Sequence, residues 1–73
     1  MGITEDLADA LARDAIAAAE RLGDEGVISE VSEALGASST TTQEAFLTAV
    51  RVRLAEQRAR RLLEERLRQG PAV

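Results

Sequence analysis

The side chains that could carry out chemistry are of few types. The 73 residues contain no His, Cys, Tyr or Trp, and all nine basic residues are Arg. Without the usual nucleophiles and general bases, only Ser, Thr, Asp and Glu remain for catalysis. Thiolate and imidazole metal sites are excluded, and the acids do not alternate as a calcium loop requires. The composition predicts a protein that is not an enzyme, with no metal, no cofactor and no small-molecule substrate.

Adjacent carboxyl groups occur at Glu5-Asp6, Asp24-Glu25 and Glu64-Glu65. A pair can divide acid and base roles only if both groups face one reacting atom. Successive side chains on a helix point about 100° apart, so such neighbours do not share a site. We interpret these acids as solvated charges.

Charge is distributed unevenly along the chain. Residues 1–44 carry ten acids against two arginines, and residues 45–73 carry seven arginines against three glutamates, within a net charge of -4. An arginine cluster near the C-terminus could bind nucleic acid, acidic lipid or an acidic protein. Its members are Arg58, Arg60, Arg61, Arg66 and Arg68. Glutamates lie between them and no aromatic side chain stands among them to stack on bases, so a solvated helix is favoured over a nucleic-acid site. If the cluster binds anything, the acidic first half, in the same chain or across a dimer, is the nearest partner.

One stretch, residues 28–46, could bind DNA. The residues in question are Val31, Ser32, Leu35, Gly36 and Ala37. They resemble the first helix and turn of the helix-turn-helix family, which implies a DNA-binding regulator whose second helix, here 39–46, enters the major groove. Thr42 and Ala45 stand where that helix usually buries larger aliphatics, and Glu44 accompanies no Arg or Lys for phosphate contacts. A helical hairpin with a glycine turn is favoured, and the helix-turn-helix regulator is the alternative.

Three amphipathic stretches predict one all-α domain over residues 1–73, a three-helix bundle or hairpin with a long C-terminal helix. The helices are expected at about 4–22, 25–35 and 41–69, followed by a frayed tail at 70–73. Thr4 is the expected N-cap of the first helix and Gly23 its C-cap. Gly36 is expected to end the second helix, and a Thr41–Glu44 capping box to begin the third.

The apolar spacing also predicts which faces are buried. In the first helix the expected stripe consists of Leu7, Leu11, Ala15, Ala18 and Leu22, widened by Ala8, Ala12 and Ala19. Asp9 is expected on the outer side, and Ile16 at the far edge, where a second helix or a second molecule must cover it. In the second helix the expected face consists of Val27, Ile28, Val31, Ala34 and Leu35, with Ser32 on the other side.

The third helix carries two apolar stripes. Phe46, Leu47, Val50 and Leu54 form the first, which should cover the other two helices. A helix of this length extends about 43 Å, more than a body of some forty residues can cover. The second stripe points elsewhere and is predicted to bind a partner: Val52, Ala55, Ala59, Leu62, Leu63 and Leu67.

Two stripes on one helix imply two packing partners. In addition, a core this small usually needs a disulfide, a metal or another subunit for support. With no Cys or His, another subunit is the support that remains. The sequence therefore predicts a small non-catalytic interaction protein that forms a homodimer, or binds a partner helix, through the second stripe, with Ile16 and the alanines of the first helix as accessory contacts. No apolar run could span a membrane and the N-terminus is acidic, so a soluble, cytoplasmic chain is expected. The all-Arg, Ala-rich usage is typical of a GC-rich bacterial genome.

Overall fold

The computed structural model describes residues 2–71, which form three helices and no strand: α1 Ile3–Leu22, α2 Gly26–Ser38 and α3 Thr40–Gln69. This confirms the all-α fold with a long C-terminal helix. The largest difference from the predicted bounds is at the end of α2, which continues through Gly36 to Ser38. Of the predicted tail, Gly70 and Pro71 are described and not helical, and residues 72 and 73 lie outside the described residues.

The three helices run up, down and up. Gln43 near the start of α3 bonds to Ser32 in α2, so α2 and α3 form an antiparallel hairpin joined by Ser39 alone. Arg53 of α3 bonds to Asp9 of α1. Glu5 and Thr41 near the starts of these helices line one groove, and Glu20 and Arg58 further along line another, so α1 and α3 run parallel. The second half of α3 therefore passes the α1–α2 connection and leaves the bundle there.

The core consists of one phenylalanine surrounded by small and branched residues. Phe46 is fully buried, and its buried companions are Ala8, Ala12, Ala15, Ile16 and Val50. Leu47 and Leu54 of α3 and Ile28, Val31 and Leu35 of α2 pack against this cluster while half-buried. The prediction that the first stripe of α3 covers the other two helices is confirmed.

The predicted inner face of α1 is confirmed at its alanines and wrong at two leucines. Ala8, Ala12, Ala15 and Ala19 are buried, and Leu11 packs against the core. Leu7 and Leu22 are exposed, and the buried face is centred on Ala8, Ala12 and Ala19. Alanine has no side chain beyond Cβ, so an alanine face lets α1 approach α3 closely enough to enclose Phe46. Leucines at the centre would hold the two helices apart.

Ile16 is 4% exposed and belongs to the core of its own chain. The prediction that Ile16 makes an accessory contact with another molecule was therefore wrong, and the buried alanines of α1 have no surface for one either. Ala17 is exposed, and a contact there stays a prediction. Ala34 in α2 is exposed and Ser32 is buried, the reverse of their predicted sides.

The helix ends are capped differently from the prediction at two of three places. Gly2, not Thr4, is the N-cap of α1, and its N–H donates to Oε1 of Glu5 at 3.2 Å. Ser39, not Thr41, caps α3 by accepting from the N–H of Thr42 at 3.1 Å. Gly23 does end α1 in the left-handed conformation at φ 64°, as predicted.

Gly36 lies inside α2, and a side chain from α3 occupies the space beside it. A Cβ built at Gly36 would lie 2.6 Å from Nε2 of Gln43. That amide nitrogen donates to the backbone oxygen of Ser32 at 3.0 Å and contacts Oγ of Ser32 at 3.3 Å. Because Gly36 has no side chain, Gln43 has room to link α2 and α3 by hydrogen bonds next to their connection.

This link predicts that the effect of a Gly36 substitution depends on Gln43. Gln43→Ala should lower the free energy of unfolding by about 1–2 kcal/mol, because it removes hydrogen bonds at a half-buried site. Gly36→Ala should stabilise that variant by about 0.5–1 kcal/mol through helix propensity, yet give no gain in the native chain, where Ala displaces Gln43. Urea unfolding of the four chains, followed by far-UV circular dichroism, measures the coupling. Equal effects of Gly36→Ala in both backgrounds would show that the two residues are independent.

Candidate interaction surface

The last part of α3 projects from the bundle. The radius of gyration is 15.3 Å and the longest dimension 56 Å, whereas a compact chain of this length has a radius of about 11 Å. Every residue from 58 to 71 is exposed. The helical part of this projection, residues 58–69, is about 18 Å long.

The structure places all six predicted partner-binding residues at the surface of α3. Val52 is 62% exposed, Leu62 65%, Leu63 56% and Leu67 71%, and Ala55 and Ala59 are exposed as well. Outside α3, the large apolar side chains that are equally exposed within residues 2–71 are Ile3, Leu7 and Leu22. The projection therefore carries three adjacent leucines that no part of residues 2–71 covers.

The two stripes of α3 lie on opposite sides of the helix. Ala55, Ala59 and Leu63 each follow a core-side residue, Phe46, Val50 and Leu54, by nine positions. Nine residues at about 100° each amount to two and a half turns, a half-turn offset.

The face that continues the core side into the projection is charged. Arg61 and Arg68 follow Leu54 by one and two heptads, and Glu64 follows Val50 by two. Seven residues are about two turns, so these charged side chains keep the azimuth of the core. If the bundle bent toward the projection, it would therefore meet these charged side chains and not the leucines.

A shallow groove between α1 and α3 continues the second stripe back along the bundle. Ala45, Thr48, Ala49 and Val52 of α3 form its floor. Glu5 and Asp9 of α1 and Glu44 of α3 form its acidic rim. The sequence reasoning missed this groove, because Ala45, Thr48 and Ala49 are too small to stand out in an apolar pattern.

Groove and projection share one heptad seam. Residues 45, 48, 52, 55, 59, 62 and 66 alternate in steps of three and four along α3. Such steps keep side chains on one face and are the spacing of coiled-coil contacts. Arg66 is the charged member of the seam, and it lies in the projection.

Asp9 and Arg53 form a bidentate ion pair across α1 and α3. Nε of Arg53 donates to Oδ1 of Asp9 at 2.7 Å, and the second nitrogen donates to Oδ2 at 2.9 Å. The hydrogen bond from Arg53 holds the pKa of Asp9 below its ordinary value, and the same bond raises the pKa of Arg53. Asp9 is exposed as predicted, and the tertiary structure adds the bond from its carboxylate to the neighbouring helix.

The lowered pKa of Asp9 predicts a pH dependence of stability. The unfolded chain takes up a proton at Asp9 near pH 3.9, and the folded chain does so only at lower pH. The contribution of this pair is therefore fully present above that pH and is lost as the pH falls through the folded pKa. Thermal melts of the native chain and of Asp9→Asn should differ by a constant amount at neutral pH and converge in acid. A difference that persists to the lowest pH would show that Asp9 acts through packing alone.

The projection pairs some of its charges internally. Arg60 bonds to Glu56 at 2.7 Å, four positions away, and Arg68 pairs with Glu65 at 3.1 Å, three positions away. Within residues 2–71, Arg58, Arg61 and Arg66 form no ion pair.

Charge is consequently separated between the two parts of the molecule. Residues 2–57 carry eleven acids against four arginines, and residues 58–69 carry five arginines against two glutamates. The body therefore has a net charge of -7 and the projection +3. The acidic half expected to attract the arginine cluster forms the body of the protein, and within residues 2–71 no arginine of the cluster pairs with an acid of another helix.

The turn implied by the helix-turn-helix resemblance is not formed. Gly36 and Ala37 lie within α2, and Ser39 alone separates the two helices, whereas that motif uses a turn of about three to four residues. The would-be reading helix is the first part of α3, and Phe46 at its end is buried in the core. DNA binding through residues 28–46 stays a prediction without support from this geometry.

The described residues also bear on metal binding and on membrane insertion. Within residues 2–71 no three acidic side chains converge on a point that could hold a metal ion. None of the three described helices combines the length and apolar character needed to cross a membrane. The chain matches no family model, no curated protein and no solved structure.

Proposed function

We propose that this protein is a non-catalytic interaction protein that self-associates as a two-fold dimer through the outer face of α3. The supporting observation is the row formed by Leu62, Leu63 and Leu67, more than half exposed on a projection whose body-side face is charged. A helix that keeps its apolar side away from its own core presents that side to another molecule.

Energetics support a partner for this face. Burying a leucine stabilises by about 1.5–3 kcal/mol, and a two-fold dimer buries each of the three leucines twice. Within residues 2–71, four of the seven buried apolar residues are alanines, so the core of a single chain contributes little. Contacts between two copies would supply stability that the single chain lacks.

A second copy suits this surface better than an unrelated helix. The projection is basic and the body is acidic, so two identical chains offer each other opposite charge. The proposal also keeps the non-catalytic role and the cytoplasmic location predicted from composition.

The proposal is tested by the mass of the native chain in solution. Multi-angle light scattering across a concentration series should give about twice the 7.8 kDa of the monomer at micromolar concentration and above, with dissociation on dilution. The chain lacks Trp and Tyr, so refractive index must supply its concentration. A mass of 7.8 kDa at the highest concentration would refute self-association.

A further inference from the structure

We infer that the dimer is antiparallel, and that the projection of each copy lies in the groove between α1 and α3 of the other. This inference rests on the proposed self-association and adds the orientation, the register and the receiving surface. The occupant of the groove is a second copy of this chain, with Leu62 and Leu63 on a floor of Ala49 and Val52.

Charge selects the antiparallel orientation. A parallel dimer would place two bodies of net charge -7 side by side and bring the two +3 projections together. It would also set Arg66 against Arg66 in the seam, where like charges repel. The antiparallel dimer lays each basic projection along the acidic body of its partner, and Arg66 then approaches the rim near Glu44.

The groove restricts how far the two helices overlap. In an antiparallel pair, the seam residues that begin a three-residue step (45, 52 and 59) face the seam residues that end one (48, 55 and 62) in the partner. Leu62 can then meet Ala59, Val52 or Ala45 of the partner, one heptad apart. Pairing with Ala59 brings only the projections together and leaves both grooves uncovered, so it loses the attraction of basic projection for acidic body.

The flanking charges separate the remaining two registers. When Leu62 faces Ala45, the residues beside the seam pair Arg51 with Arg58 and Glu44 with Glu65, which are repulsive. When Leu62 faces Val52, Arg51 lies opposite Glu65 twice and Leu63 lies over Ala49. Like charges then meet only at the axis, where Arg58 faces Arg58 and Glu56 faces Glu56. The Ala45 register has four like-charged contacts against these two, so the Val52 register is favoured. The two-fold axis then passes near Gln57, and Leu62 and Val52 meet twice in each dimer.

Engineered disulfides test this arrangement, because the natural chain has no Cys. Val52→Cys and Leu62→Cys replace exposed side chains and should leave the fold intact by circular dichroism. A disulfide requires Cα atoms about 4.4–6.8 Å apart. In the inferred dimer, residue 52 faces residue 62 of the partner, while the two copies of residue 52 lie about 15 Å apart along the helices.

Oxidation of an equimolar mixture of the two variants should yield a covalent heterodimer at least tenfold faster than either variant alone yields a homodimer. A mixture of Val52→Cys with Ser29→Cys, an exposed site on α2, measures random collision. Homodimers of each single variant would establish a parallel dimer and overturn the inference. A dimer by light scattering without the mixed disulfide above that background would overturn it too. A monomer by light scattering would instead refute the proposed function on which the inference rests.

Discussion

Replacing Leu63 with Glu is expected to convert the dimer into a monomer at micromolar concentration. Leu63 is the least exposed of the three projection leucines, at 56%, and it occurs twice in a symmetric dimer. Removing two leucine contacts and placing two carboxylates in an apolar contact costs at least about 3 kcal/mol, or about a hundredfold in the dissociation constant. Light scattering of the two chains over the same concentration range measures the change.

The matched control is Leu7→Glu, which places the same carboxylate at a leucine that is 62% exposed on α1, outside the groove. This variant should keep the native mass. The Leu63→Glu monomer should keep the folded bundle, because its core is untouched, and lose helix content only over the projection. An unchanged mass for Leu63→Glu, or equal dissociation of both variants, would show that the leucine row is not the contact surface.

Replacing Phe46 with Ala is expected to unfold most of the chain. Phe46 is fully buried and is the largest side chain in the core. Phenylalanine-to-alanine changes in cores cost about 3–5 kcal/mol. A domain of this size has a total stability of roughly 4–11 kcal/mol, and a core lined with alanines has no larger neighbour to fill the cavity. Helix content by circular dichroism should fall sharply at 25 °C, and the urea midpoint should be the lowest of all variants.

Phe46→Leu serves as the control, since it retains most of the buried volume and should remain folded with a lowered midpoint. Both chains are compared at one protein concentration, because association stabilises the folded state. A Phe46→Ala chain with native helix content and a native midpoint would mean that the α1–α3 contact does not hold the fold together.

These two predictions concern different apolar contacts, one inside the body and one on the projection. Phe46 is the largest fully buried side chain of the body, and the three leucines of the projection are each more than half exposed. The first is required for the chain to fold, and the second is expected to matter only when two chains meet.

Local pattern was enough to predict most of the helical structure. Gly23, Gly70 and the uninterrupted run between 41 and 69 indicated where the helices begin and end, because glycine tolerates the left-handed backbone that ends helices and no breaker lies within the run. The two stripes of α3 followed from the 3.6-residue period, since a single helix can present side chains to only one neighbour per face. These properties depend on residues close together in the chain.

Contacts between distant residues decided what the pattern could not. The alanine face of α1 is buried and Leu7 is exposed, because close approach to Phe46 outweighs the burial of a larger side chain elsewhere. Gly36 lies inside α2 and leaves room for the side chain of Gln43 from the next helix. Asp9 finds Arg53 across 44 positions of sequence. The sequence by itself determined the helices and the two-sided character of α3. Only the tertiary structure decided that the buried face of α1 is centred on its alanines, with Leu7 outside and Ile16 inside, because that choice is set by the shape of the partner helix and not by the period of the sequence.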